Sequence, residues 1–74
     1  MDLKVDSAGA VKVMVFNFAG EQVVKLMDET KNAGNYRVSW DGRNQNGDIV
    51  GNALYFVVTT QPSGRFIQKV IVLK

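Results

Sequence analysis

Cysteine and histidine are both absent from the chain, and each absence removes chemistry. Without cysteine there is no disulfide to staple the fold and no thiolate to act as nucleophile or metal ligand. That leaves the compartment open, because many secreted bacterial domains also lack disulfides. Without histidine, the side chain most used for proton transfer near neutral pH is missing, and so is the commonest zinc ligand. Proline and tryptophan occur once each. No apolar run approaches the ~18 residues of a membrane-spanning helix. The opening Met-Asp-Leu-Lys-Val lacks the basic-then-apolar form of a signal peptide, and no membrane insertion is expected. Charge of one sign is not concentrated either. Nine basic and seven acidic side chains give +2, with no run of four like charges. The pI near 9.2 therefore does not point to nucleic acid, which needs a clustered basic surface.

What remains is a chain of 74 residues, enough for one small domain over residues 1–74 with one core. A domain of this size buries only about 60% of the surface its unfolded chain exposes, so modest stability is expected. Strand-forming residues begin almost at once. This fits a piece of a longer protein, with Met1 an added start, and the ending directly after a strand fits a C-terminal module.

Most of the chain reads as strands. Asp2-Leu3-Lys4-Val5 alternates but is short, and Ser7-Ala8-Gly9 breaks it. From Ala10 to Phe18, Val11, Val13 and Val15 share one face while Lys12, Met14 and Phe16 share the other. Ala19-Gly20-Glu21 is a tight connection, and Gln22 to Met27 is the returning arm. A helix over 21–31 competes, since Val24, Met27 and Lys31 have its spacing. It lacks an N-cap before Glu21 and is cut off by Gly34. Asp28 to Gly34 reads as a polar loop. Gly34 to Trp40 reads as a strand with Tyr36, Val38 and Trp40 on one face, followed by turns at Asp41-Gly42 and Asn46-Gly47 and a polar stretch to Asn52. Leu54 to Thr60 is the strongest strand. Gln61-Pro62-Ser63-Gly64 is a hairpin turn with proline at its second position, and Arg65 to Leu73 pairs back antiparallel. Six or seven short strands with turns between them predict an all-β antiparallel sandwich or small barrel.

Catalytic candidates are few. Asp2, Asp6, Glu21, Asp28, Glu29, Asp41 and Asp48 lie mostly in predicted turns or at strand ends, where solvated surface is the ordinary role. Asp41 and Asp48 flank one loop and are the only plausible acid/base pair. No nucleophile–base pair, oxyanion motif or phosphate-binding glycine loop accompanies them, so no catalytic residue, cofactor or metal is expected. Calcium fails on register. With Gly47 at position 6 of an EF-hand loop, Asn44 and Asn46 fall correctly, but Gly42 takes position 1 and Ala53 position 12, where acids are required. Asp41, Asn44, Asn46 and Asp48 fit better as hydrogen-bond partners of their own turn backbones. Trp40 and Tyr36 raise carbohydrate binding as an alternative function. Yet they share a face with Val38 that looks like core, which favours a buried Trp40. Stacking on nucleic acid needs aromatics set in a basic groove, and here they alternate with valine and threonine.

One pattern does not suit a sandwich wet on its outside. If Val11, Val13 and Val15 are buried, Met14 and Phe16 face out. If Tyr55 and Val57 point in, Phe56 and Val58 point out. These side chains are either scattered surface apolars or a patch marking an interface. Met14, Phe16, Phe56 and Val58 are accordingly the candidate interface, with a neighbouring domain of the same polypeptide, a protein partner or a second copy as occupant.

Val11 to Gly20, Val23, Leu26, Gly34-Asn-Tyr-Arg-Val-Ser-Trp-Asp-Gly-Arg43, Asn46-Gly47, Leu54-Tyr55 and the closing Lys69-Val-Ile-Val-Leu-Lys74 together resemble the Ig-like domain of the flagellar hook-capping protein family (FlgD-type). That domain also recurs at the C-termini of secreted bacterial enzymes and surface proteins. The resemblance covers about residues 9–74. Its signature is Tyr36, Trp40, Asp41, Gly42, Asn46, Gly47 and Tyr55, with Ala53 where the family usually has glycine. The similar sorting tails of the gliding-bacteria secretion system usually lack Trp-Asp-Gly. The resemblance implies an Ig-like, fibronectin III-like β-sandwich without catalytic activity. It also implies an extracellular, cell-surface or periplasmic setting and a role in domain packing, assembly or export, or as a scaffold in hook assembly.

Overall fold

In the computed structural model, which describes residues 2–73, Val11, Val13 and Val15 are fully buried, at 0% exposure. Their alternation fixes which side of the strand is core. Six strands follow in order: β1 Asp2–Val5, β2 Gly9–Asn17, β3 Gln22–Lys31, β4 Gly34–Arg37, β5 Ala53–Gln61 and β6 Gly64–Val72. They form two antiparallel sheets, one of β1 and β4 and one in the order β3-β2-β5-β6. The core lies between them. Leu3 and Val5 of β1, together with Val38, meet Val11, Val13, Val15, Tyr55 and Val57 of the larger sheet. The all-β sandwich read from the sequence is the observed fold. Met1, and Lys74 at the end of the closing Lys-apolar stretch, lie outside the described residues.

Two boundaries differ from the sequence reading by more than one residue. The stretch 28–31, expected as loop, continues β3, and Asp28 and Glu29 pair with Lys12 and Val11. The strand expected to reach Trp40 leaves its ladder at Arg37, because β1 supplies only four partners. Val38 is nevertheless buried and Trp40 half-buried against the core, so the alternation continues past the end of β4.

The helix-like spacing in β3 has a structural cause. Register shifts between Val13 and Met14 and between Val15 and Phe16 leave Leu26 and Val23 as extra residues on β3. Each is a β-bulge, where two residues oppose one. Val23, Val24, Leu26 and Met27 therefore all pack on the core while Lys25 stays exposed. Two bulges turn a period of two into something that resembles a helix period.

The first residue of β2 lies close to the β5–β6 turn. A Cβ on Gly9 would meet the Pro62 ring at 2.5 Å, nearer than real Cβ contacts allow, so glycine is required there.

Candidate functional site

The stretch after β4 is a self-supporting loop. Gly42 and Gly47 both have positive φ, 77° and 88°, which glycine alone adopts without strain. Between them Arg43 bridges Ile49, and the Val50 N–H donates to the Gly42 carbonyl at 2.9 Å. Asn44 Oδ1 accepts from the N–H groups of Asn46 and Asp48, both at 3.0 Å, and Asp41 Oδ1 accepts from the Arg43 N–H at 3.2 Å. Asp41 and Asn44 thus bond their own turn backbones, as expected. Asn46 and Asp48 take part through backbone groups rather than side chains. Among the described residues there is no group of three or more acids placed to hold a metal ion.

Trp40 and Tyr55 tie this loop to the core. Their rings meet edge to face, with centroids 5.3 Å apart and planes at 69°, a favoured aromatic geometry. The Trp40 indole N–H donates to the Arg43 carbonyl at 2.9 Å. The Tyr55 hydroxyl donates to the Gly51 carbonyl at 2.8 Å, four residues upstream, which is the arrangement of a tyrosine corner. Tyr36 does the same to Asn32 at 2.6 Å. Ala53 causes no difficulty where glycine is usual, because no residue other than glycine has positive φ in the described structure.

Two glutamines, neither anticipated from the sequence, cover strand edges. The Gln45 N–H donates to the Val23 carbonyl at 3.0 Å, and its side-chain carbonyl accepts from the Lys25 N–H at 3.3 Å. At the end of β5, Gln61 is buried. Its Nε2 donates to the Lys4 carbonyl at 3.1 Å and its Oε1 accepts from the Asp6 N–H at 3.3 Å. A strand residue would offer the same donor and acceptor, so each glutamine stands in for one residue of a neighbouring strand. The distant, tertiary nature of both contacts hid them from local pattern.

Two grooves flank the sandwich. A polar one of about 380 Å³ lies beside the β2–β3 turn, lined by Asn17, Glu21, Asn44 and Gln45. A more apolar one of about 430 Å³ opens between β1 and β6, lined by Leu3, Val57, Thr59, Phe66 and Gln68. Neither gathers a nucleophile and a base. Asp28 on β3 lies beside Lys25. A hydrogen bond from Lys25 Nζ at 3.0 Å holds its carboxyl below the usual aspartate range, with desolvation opposing it and the charges of Lys25 and Lys12 adding to it. A depressed folded-state pKa contributes stability above the unfolded value and loses it as pH falls through the folded one. The contribution is small at so exposed a pair. In an NMR titration the Asp28 midpoint should lie below that of a model aspartate, and Lys25→Ala should raise it; an unmoved midpoint would refute the assignment.

The candidate interface residues come together. Met14 pairs with Val58 and Phe16 with Phe56 across β2 and β5, and all four are half-buried on the outer face. The β5–β6 register extends the patch, because Val58 pairs with Ile67, Leu54 with Ile71 and Phe56 with Lys69. Ile67 and Ile71 are 59% and 67% exposed. The sequence reading missed them, although counting outward from the two-residue turn Pro62-Ser63 would have produced the same pairs.

A family model described as the FlgD Ig-like domain matches residues 2–65, from the start of β1 to the second residue of β6. The chain belongs to this family. No curated protein and no solved structure gave a match. The FlgD Ig-like domain is a non-catalytic module family. Its model reaches further towards the N-terminus than the resemblance read over 9–74, and it leaves most of β6 outside. The Trp-Asp-Gly signature of this FlgD Ig-like domain does structural work here: Trp40 packs on Tyr55, Asp41 holds the Arg43 amide, and Gly42 supplies the positive φ.

Proposed function

We propose that this FlgD Ig-like domain is a non-catalytic accessory module of a secreted or surface bacterial protein, packing on a neighbouring domain of the same polypeptide. The supporting observation is the outer face of the larger sheet. An antiparallel sheet with one face on the core usually carries polar residues on the other. Here Met14, Phe16, Phe56 and Val58 form cross-strand pairs that run on to Ile67 and Ile71, and cross-strand neighbours lie close enough to make one surface. Contiguous exposed apolar area marks interaction sites more often than scattered residues do. The extracellular, cell-surface or periplasmic setting is carried over from the resemblance. Carbohydrate binding would need Trp40 as an open platform, and its ring is half-buried against the core instead.

Phe56→Ser tests the reading. If the outer face is a docking surface, the variant should reduce concentration-dependent association of the chain in sedimentation, a measure of how adhesive the face is. Its stability should fall by only about 1 kcal/mol, the ordinary cost of a point substitution, because Phe56 is half-buried rather than core. A large fall in melting temperature with unchanged association would make Phe56 a core residue and overturn the proposal.

A further inference from the structure

The molecule covers part of two strand edges and leaves that of β6 open. Gln45 closes β3 at Val23 and Lys25, and Gln61 closes β1 at Lys4 and Asp6. β6 is an edge strand of nine residues. The turn and side-chain hydrogen bonds that close the other edges do not extend to it. In an antiparallel ladder alternate residues direct both backbone groups away from the partner, so β6 presents a row of free donors and acceptors, a template for another strand.

The surroundings specify what that strand carries. On the inner face Phe66 is 51% exposed, although Thr59, its partner on β5, is buried. The two-stranded sheet stops at β1 and does not reach over β6, which leaves the groove of about 430 Å³ between Leu3, Val57 and Phe66. On the outer face Arg65 and Lys69 are exposed and four positions apart. Neither has an acidic partner among the described residues. Such basic residues on an edge discourage pairing with a second copy of the same strand and favour an acidic one.

We infer that the free edge of β6 accepts an extended acidic segment of a partner polypeptide as a fifth strand of the larger sheet. Inward-facing apolar side chains of that segment enter the groove over Phe66, and outward-facing carboxylates sit beside Arg65 and Lys69. Backbone pairing supplies the affinity, and the groove and the two cations supply the selection, as in other strand-addition complexes. Asp2, Lys4 and Asp6 line the groove on the side of β1, and with two acids to one lysine there the carboxylates are better placed on the outer side, beside Arg65 and Lys69.

The test uses the full chain and a fluorescein-labelled synthetic peptide in which valine alternates with glutamate. Binding is read by anisotropy and located by amide NMR shifts. The expected result is saturable binding with shifts concentrated on Arg65 to Ile71. Affinity should fall about tenfold in the double variant R65E/K69E, weaken with added salt, and vanish when alternate peptide nitrogens facing β6 are methylated. Both substituted residues are exposed, so an unchanged melting curve confirms that the variant is folded. Three outcomes overturn the inference: equal affinity for wild type and variant, shifts confined to the β1 or β3 edge or to the Met14–Phe16 face, or a β6-paired dimer of the chain without peptide.

Discussion

Replacing Tyr55 with alanine is expected to leave the chain largely unfolded at room temperature. The ring is 6% exposed, meets Trp40 edge to face, and carries the hydroxyl that holds the Gly51 carbonyl. Truncating a buried aromatic to alanine costs about 3–5 kcal/mol. A single core in a chain of this size rarely supplies more than about 3–5 kcal/mol in all, and the described chain has no disulfide to add to it. The two magnitudes are comparable, which is why this one ring decides the outcome. Tyr55→Phe separates the contributions. It keeps the packing and removes only the hydrogen bond, worth about 1 kcal/mol, or about 4–8 °C in melting temperature for a domain of this length. Circular dichroism melts of both variants provide the measurement. A Tyr55→Ala protein melting within a few degrees of wild type would show that the loop and the core do not depend on each other through this residue.

Gln61 should show the second large effect, with a dependence on pH that only its hydrogen-bonding pattern explains. Gln61→Leu preserves bulk but leaves the Lys4 carbonyl and the Asp6 N–H without their partner. A partly buried pair stranded in this way costs about 1–3 kcal/mol. Gln61→Glu keeps the acceptor for Asp6 but, when ionised, replaces the donor to Lys4 with a negative charge facing a carbonyl oxygen. Burial and that oxygen both disfavour the charged form, which raises the folded-state pKa above the unfolded one. The sign is then fixed. The glutamate variant is most nearly native below the unfolded carboxyl pKa, where the protonated acid can donate to Lys4, and it loses stability as pH rises through the folded pKa. Urea melts of wild type and both variants at acidic and neutral pH check this. A glutamate variant as stable at neutral pH as at acidic pH would mean that the Lys4 contact is not used.

The sequence made the core faces legible. Val11, Val13 and Val15 are buried as their alternation requires, and Tyr55 and Val57 point inward, because one side chain in two must face the other sheet. The loop around Asp41 was legible for a different reason: Gly42 and Gly47 advertise positive φ, and Asx side chains advertise turns. Local pattern failed in β3. Two bulges dependent on pairing with β2 let successive apolar residues all reach the core, which mimics helix spacing. It failed again at the strand edges, where Gln45 and Gln61 act over 20 and more than 50 positions in sequence. Neither residue type announces such a role. The outer-face residues Met14, Phe16, Phe56 and Val58 were visible as a set because strand parity places them together, whereas Ile67 and Ile71 needed the register of the β5–β6 hairpin.

The Gln61 bridge also has a consequence in time. The β2–β3 and β5–β6 pairs are local hairpins, of the kind that form in about 1–10 μs. The contact of Gln61 with the β1 segment joins residues 55 and 57 positions apart, further than any pair of β2 with β5, and closing a longer loop costs more entropy before any contact repays it. The order of events this implies is two hairpins first, their union along β2 and β5 next, and β1 last. Until β1 arrives, the valine face of β2 is exposed to solvent and to other chains. The closing contact would then form after the rate-limiting step, and Gln61→Leu should show its loss mainly as faster unfolding, with the refolding rate little changed. A slowed refolding rate would place the docking of β1 early instead. In either case a side-chain amide near the end of β5 governs how long the first strand stays in place.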